Sequence, residues 1–288
     1  MVPLASGSGG NATLVEGAVE GEIVRALVDC GLSANEVESR LRSVGREPES
    51  IDWIFVTHRH RDHVAGVRDF VRRHRARVLC TPRAQKSLGT ELHKRTRVIR
   101  LGTYEWCGKA RSGPGLKVHY HRVPHDAPET AALRIESGGA VYGHLTDAGH
   151  VPDGLVAFLE GCDALLLESN HDRDRLFEGD DPPHLKRRIA SPEGHLSNEQ
   201  AREVLDRLVG GRLRHVWLAH LSQRNNSVEA VLDMLKPVRQ ADPGLSICIL
   251  SQDHPAAPVE LLGESDAPVC IGVCQADSTG RCIGCGRT

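Results

Sequence analysis

Aromatic residues are scarce in this 288-residue chain, with three Trp, three Tyr and four Phe making up 3% of it. So thin a supply argues against a broad base-stacking surface of the kind that non-specific single-strand binders use. Strong net charge is missing too: 36 Lys and Arg face 38 Asp and Glu for a formal −2, so the whole molecule is neither a polybasic binder nor an acidic tail. No apolar run approaches the roughly 18 residues of a membrane span. The start, Met1-Val2-Pro3-Leu4 and then a Ser/Gly run, lacks the positive stretch and apolar core of a signal peptide. A cytoplasmic protein with no membrane partner is expected. At 40% hydrophobic and 26% charged, the composition also excludes disorder, collagen and coiled coil as the main architecture.

What is present alternates short apolar runs with helical patterns. Ala12 to Glu16, Ile23 to Cys30, Ile51 to Thr57, Arg77 to Cys80 and Arg97 to Leu101 read as strands. Helices are expected from Ser33-Ala34-Asn35-Glu36 to Gly45, from about Val64 to Arg75 and after Thr81-Pro82. Strands at Leu116 to Val123, Ala131 to Glu136, Ala140 to Thr146, Ala164 to Glu168, His215 to Ala219 and Leu245 to Leu250 follow. Helices near Leu155 to Glu160, from the capping box Ser197-Asn198-Glu199-Gln200, and from Ser227 lie among them. The Gly-rich segment Ser6 to Asn11 lacks the Gly-Lys-Ser/Thr ending of a P-loop and reads as a tight turn, with Asn11 lining a cleft. This divides the chain into a mixed α/β domain at 1–251, a Pro- and acid-rich linker at 252–267 and a Cys-rich tail at 268–288.

Sixteen histidines and nine cysteines stand out. Thr57-His58-Arg59-His60-Arg61-Asp62-His63 comes straight off a buried strand. Alternate residues of an extended segment share a side, and a helix start turns Asp62 and His63 back, so three imidazoles and a carboxylate face one cavity. Those are the donors that Zn²⁺, Mn²⁺ and Fe prefer. Cys30, Cys80, Cys107, Cys162 and Cys248 have no metal-like spacing and read as small buried hydrophobes. Cys270, Cys274, Cys282 and Cys285 are different, because two short cysteine turns let four thiolates converge on one zinc or iron–sulfur cluster.

The His-x-His-x-Asp-His cluster resembles that of the metallo-β-lactamase superfamily, whose later stations can be followed in order. They are Asp29 in Leu27-Val28-Asp29-Cys30-Gly31, His125 in Val123-Pro124-His125, Asp147 in Leu145-Thr146-Asp147, and His220 in Leu218-Ala219-His220. Within the superfamily the chain is similar to the bacterial YycJ/WalJ type. The segments that carry this are Ser6 to Ala12, His125-Asp126-Ala127, Leu167 to Asp172, Gly194 to Asn198 and His220 to Asn226. The resemblance implies an αββα four-layer sandwich. It also implies a metal held by His58, His60 and His125, a second held by Asp62, His63 and His220, Asp147 between them, and Asp29 supporting the loop. Asp62, Glu168 and His195 would be the catalytic residues, with Glu168 and His195 as the leaving-group relay of the tRNA-processing branch. The end of the chain resembles a small Cys-rich bacterial domain of unknown function through Cys282-Ile283-Gly284-Cys285-Gly286-Arg287-Thr288.

Arg59 and Arg61 flank the cluster, and thirteen Lys or Arg face three acids between Arg59 and Arg100. A basic lobe including Arg72, Arg73 and Arg75 is expected to attract phosphates. The reading is therefore a hydrolase with two divalent metals, Zn, Mn or Fe, acting on phosphodiesters as a DNA exonuclease. Its rivals are a small cyclic-phosphate phosphodiesterase, an RNA-processing nuclease, and a nucleic-acid-binding or redox-sensing protein without turnover. His171 and Asp172 match no ligand station, and His74, His93, His119, His121 and His215 lie outside the motifs.

Overall fold

Six short strands, Val2–Ala5 (β1), Ala12–Val19 (β2), Glu22–Val28 (β3), Trp53–Phe55 (β4), Arg77–Cys80 (β5) and Thr96–Val98 (β6), form a sheet in chain order in the computed structural model, which describes residues 1–19, 21–109 and 115–261. β1 to β3 are an antiparallel meander, whereas β3 to β6 run parallel. Parallel neighbours need crossovers, and helices supply them: Ala34–Ser43 (α1), Arg61–Val64 (α2), Val67–His74 (α3) and Pro82–Leu88 (α4). Buried on both faces, β4 is the uninterrupted apolar run Trp53-Ile54-Phe55. α1 turns Ala34, Val37 and Leu41 inward, and α3 turns Val67, Phe70 and Val71 onto the same core. Thr103–Cys107 (β7), Leu116–Arg122 (β8) and Ala131–Ser137 (β9) are antiparallel strands of the same compact unit, which comprises Met1–Arg122, Ala127–Ala140 and the stretch from Ser251. Along β8, Leu116, Val118 and Tyr120 are buried, and the Tyr120 hydroxyl donates to the Leu79 carbonyl at 3.0 Å.

The second unit, Val123–Asp126 with Val141–Leu250, is built on parallel strands. They are β10 (Ala140–Leu145), β11 (Ala164–Glu168), β12 (His215–Ala219) and β13 (Ser246–Ile249), paired in that order. Asp153–Leu159 (α5) joins the first two strands. Arg173–Glu178 (α6), Pro183–Ile189 (α7) and Asn198–Leu208 (α8) join the next two, and Val228–Met234 (α9) and Lys236–Ala241 (α10) lead to the last. α8 opens with the complete capping box that its sequence announces, Ser197 accepting from Gln200 N and Gln200 accepting from Ser197 N. At α1 only half of the expected box forms. Ser33 accepts from Glu36 N, but the Glu36 carboxylate accepts from Arg40 at 2.7 Å instead.

The strands β1 and β7 and the helices α6 and α7 have no counterpart in the sequence reading. β1 is four residues, and α7 buries none of its side chains, so neither carries a long periodic signal. The first part of the expected linker is docked: Ala256 N donates to Pro3 O at 2.8 Å and Val259 N to Met1 O at 2.9 Å. Cys30, Cys80, Cys107, Cys162 and Cys248 are all free and buried as expected, and burial pushes the Cys80 and Cys107 thiols up to about 12. No helix among the described residues is long and apolar enough to cross a membrane.

Candidate metal centre

In the first unit the histidine loop leaves β4 and enters α2, with His60 as the helix N-cap. Its anchor is Asp29, one residue past β3 and in the left-handed conformation at φ 60°. The buried Asp29 carboxylate accepts from Thr57 N at 2.8 Å, Thr57 Oγ1 at 2.8 Å and His63 Nδ1 at 2.7 Å. A non-glycine residue at φ > 0 is strained and persists only where its surroundings hold it, which three hydrogen bonds to one carboxylate do here. The imidazoles then lie together: ring centroids of His58 and His60 are 4.8 Å apart, and of His58 and His63 4.1 Å. Asn11 closes the loop from the Gly-rich turn, its amide accepting from Gly7 N and donating to His63 Nε2 at 3.1 Å. Gly31 is required at this point, because a Cβ there would sit 1.6 Å from the Asp62 carbonyl. Arg59 and Arg61, the alternate residues, are exposed.

Four separate segments of the second unit bring its donors together. Asp147 lies two residues past β10 and His220 one past β12, both left-handed at φ 59° and 56°. Glu168 is the last residue of β11, and His195 precedes α8. Glu168 is their hub. One carboxylate oxygen accepts from His195 Nδ1 at 2.9 Å and His220 Nδ1 at 2.8 Å, the other from Ala148 N at 2.9 Å and Leu196 N at 3.1 Å. Burial works against its charge, yet the neighbouring His195 and the hydrogen bonds from His195 and His220 outweigh it and hold the carboxyl well below the usual range, at about 2. Asp147 Oδ1 is 3.6 Å from Nδ1 of both His195 and His220 and 3.8 Å from His125 Nε2. Asp147, Glu168, His195 and His220 each offer one ligand atom within 4.8 Å of the others.

The resemblance assigns Glu168 to His195 alone, whereas Glu168 holds His220 equally. That double role is invisible in sequence because β11, β12 and the loop before α8 meet only through strand order. The Gly194 carbonyl is likewise unannounced: it accepts from His125 Nδ1 at 3.0 Å, tying the Gly194-His195 turn to a proposed ligand.

These bonds test whether the residues fit a divalent ion. His63 gives its Nδ1 proton to Asp29, His125 to a carbonyl, and His195 and His220 to Glu168. Thr57 Oγ1 spends its own proton on Asp29 and so accepts from His58 Nδ1 at 3.1 Å. Five imidazoles are therefore held through an Nδ1–H bond, with Nε2 as the nitrogen on the opposite side of the ring from that partner, which is the arrangement that outer partners impose on metal-ligating histidines. Imidazole and carboxylate donors suit Zn, Mn or Fe, so divalent metal fits.

Among the other expected residues, Arg72 and Arg75 are exposed, but Arg73 is engaged by Asn35 and by Glu38 at 2.9 Å. His171 is buried and its pKa falls to about 4 through burial, while Asp172 caps α6. Cys270, Cys274, Cys282 and Cys285 lie outside the described residues.

Residues 24–220 match a family model described as Beta-lactamase superfamily domain. The chain is 33% identical over 251 residues to "Exodeoxyribonuclease WalJ" of Streptococcus pneumoniae, covering 85% of this chain and 90% of that protein. It is 30% identical over 230 residues to "Exodeoxyribonuclease YycJ" of Bacillus anthracis, covering 78% and 83%. Among solved structures it is similar to the metallo-beta-lactamase fold protein YhfI from Bacillus subtilis, with a TM-score of 0.64 over 89% of this chain and 98% of that one. At 16% identity this last likeness is one of fold.

Proposed function

This chain belongs to the β-lactamase superfamily, in its WalJ/YycJ-type branch, and we propose that it turns the metal-dependent hydrolase chemistry of that superfamily on phosphodiesters, as a dinuclear exonuclease acting on DNA. The observation that carries the reading is the Nδ1–H bond shared by His58, His63, His125, His195 and His220, together with the buried, ionised Glu168 between two of them. The proposed ligands are His58, His60 and His125 for one ion and Asp62, His63 and His220 for the other, with Asp147 shared. Two divalent cations so held would supply the charge needed to activate a water and to neutralise the attacking and leaving oxygens of an in-line displacement. Asp29 and Glu168 keep the ligand imidazoles oriented. Asp62 doubles as the ligand that orients the attacking water. His195, oriented through its Nδ1 by Glu168, donates a proton from Nε2 to the departing alkoxide as the phosphorus–oxygen bond breaks. Arg59 and Arg61 lie where phosphates flank the cluster.

A cytoplasmic enzyme with DNA as substrate follows, and a separate module at 268–288 would hold one further zinc or an iron–sulfur cluster on Cys270, Cys274, Cys282 and Cys285. The experiment is a panel of end-labelled DNA, RNA and cyclic nucleotides given to metal-free protein with Mn²⁺ or Zn²⁺ restored. Metal-dependent shortening of DNA from an end is the expected result. Turnover of cyclic nucleotides alone, or DNA binding without turnover, would overturn it.

A further inference from the structure

The chain's few aromatics are unequally placed. Of its three Trp and three Tyr, Trp53, Trp217, Tyr120 and Tyr142 are at most 2% exposed, whereas Tyr104 is 52% and Trp106 50% exposed. The exposed pair are two residues apart on β7, so they share one face of a strand. β7 ends its sheet, and its partner β8 sets His119 opposite Tyr104 and Lys117 opposite Trp106, with Arg134 and Glu136 next in line on β9. Lys117 Nζ sits 4.7 Å from the Tyr104 ring centroid and the His119 ring 5.1 Å away. Lys117, His119 and Arg134 all approach the single acid of this patch, Glu136. Two rings flanked by an excess of cations are a surface matched to bases and phosphates together.

Resting on the nuclease reading above, we infer that Tyr104 and Trp106 form a stacking platform for a single-stranded segment of the DNA substrate, with Lys117 and Arg134 facing its phosphates. Aromatic–base stacking tolerates any sequence, because every base has a π face, which suits an exonuclease that must pass all four bases. The platform is also placed along the right strand. Arg122, three residues beyond His119 on β8, pairs with Ala131, whose N–H donates to the carbonyl of Thr57 in the histidine loop at 3.1 Å. At about 3.3 Å per residue Tyr104, opposite His119, lies roughly 10 Å along the strand from that junction and Trp106 roughly 17 Å.

The test uses the full-length protein and a phosphorothioate-linked oligothymidylate, which binds without being cut. Tyr104→Ala and Trp106→Ala should each weaken binding roughly 5- to 100-fold. Trp106→Phe and Tyr104→Phe, which keep the rings, should restore affinity to within about three-fold. In wild type alone, saturating oligonucleotide should shield the iodide-accessible tryptophan emission, because Trp106 is the exposed Trp. Alanine variants that bind like wild type, emission that stays equally accessible, or a wild-type dimer that the alanine variants dissolve would each overturn the platform, the last by making the face a contact between copies. If wild type cuts DNA while these results fail, only the platform falls. A wild type that neither binds nor cuts DNA overturns the nuclease reading and the platform with it.

Discussion

Each unit gathers candidate metal donors around one buried carboxylate, and the two carboxylates work differently. Asp29 accepts from a backbone N–H, a hydroxyl and one imidazole, and it supports donors that sit within six residues of one another, His58 to His63. Glu168 accepts from two imidazoles and two backbone N–H groups, and it supports donors drawn from separate strand ends. The first set is held by local chain geometry with two outside braces, Asp29 and Asn11. The second exists only because β10, β11 and β12 lie side by side. Damage to the second hub should therefore spread further.

The sharpest break comes from the donors themselves. Asp147→Ala or His60→Ala should lower metal-dependent DNA hydrolysis by several orders of magnitude, and elemental analysis should show fewer than two catalytic ions per chain, against about two in wild type. His195→Ala tests a different function in the second unit. An alkoxide leaving group needs its proton, so DNA hydrolysis should fall roughly 10²- to 10⁴-fold, while bis(nitrophenyl) phosphate, whose leaving group departs as a stable anion, should be spared. An equal fall on both substrates, or loss of metal, would make His195 a structural residue of the site.

Comparing the hubs directly comes next in size. Asp29→Asn and Glu168→Gln each remove an outer partner, which typically costs about 10- to 100-fold in metal affinity. Glu168→Gln should lie at the severe end, because it unbinds two imidazoles from their orientation and one of them is the proposed acid. Metal affinity measured by competition with a chelator checks this; equal losses would erase the distinction between the units.

Acid should weigh more heavily on the second unit, although burial lowers His119 in the first as well. Burial lowers His171 and His215, both in the second unit, to about 4. Each is neutral when folded and gains a proton on unfolding, so its contribution to stability is present above about pH 6.5 and is lost as the pH falls toward about 4, at up to about 1.4 kcal/mol per pH unit. The carboxyls that hydrogen bonds lower in the first unit, Glu16 and Glu38 against the opposing cost of burial, lose their contribution only as the pH falls below the ordinary carboxylate value. Thermal melts between pH 7 and 5 should therefore fall, and His215→Phe should flatten that fall.

The smallest effect concerns the basic lobe. Arg72→Ala and Arg75→Ala should weaken DNA binding evenly across sequences and each lower the salt slope by about one counterion. Arg73→Ala should change little, since Asn35 and Glu38 already hold that guanidinium. An equal effect at all three positions would show that Glu38 releases Arg73 to the phosphates.

The contrast between the hubs also explains what could be read beforehand. The histidine loop was legible because its donors are adjacent, and a one-dimensional pattern records adjacency. Asp147 and His220 were legible only through resemblance: one acid and one histidine after apolar runs carry no spacing of their own. Asn11 was expected in a cleft, and its contact with His63 gives that expectation a partner. The platform on β7 was missed because a scarcity of aromatics, read as a total, hides where the few that exist are placed.

By itself the sequence determined the strand and helix alternation, the buried thiols and the cluster from His58 to His63, since periodicity and local spacing are properties of neighbouring residues. Tertiary structure alone decided that Glu168 serves two histidines, that Arg73 is engaged by an acid on α1, and that Tyr104 and Trp106 emerge on an open strand face. Each of these depends on which strands and helices lie beside one another, and hydrogen bonds, ion pairs and burial are set by proximity in space, which chain order does not encode.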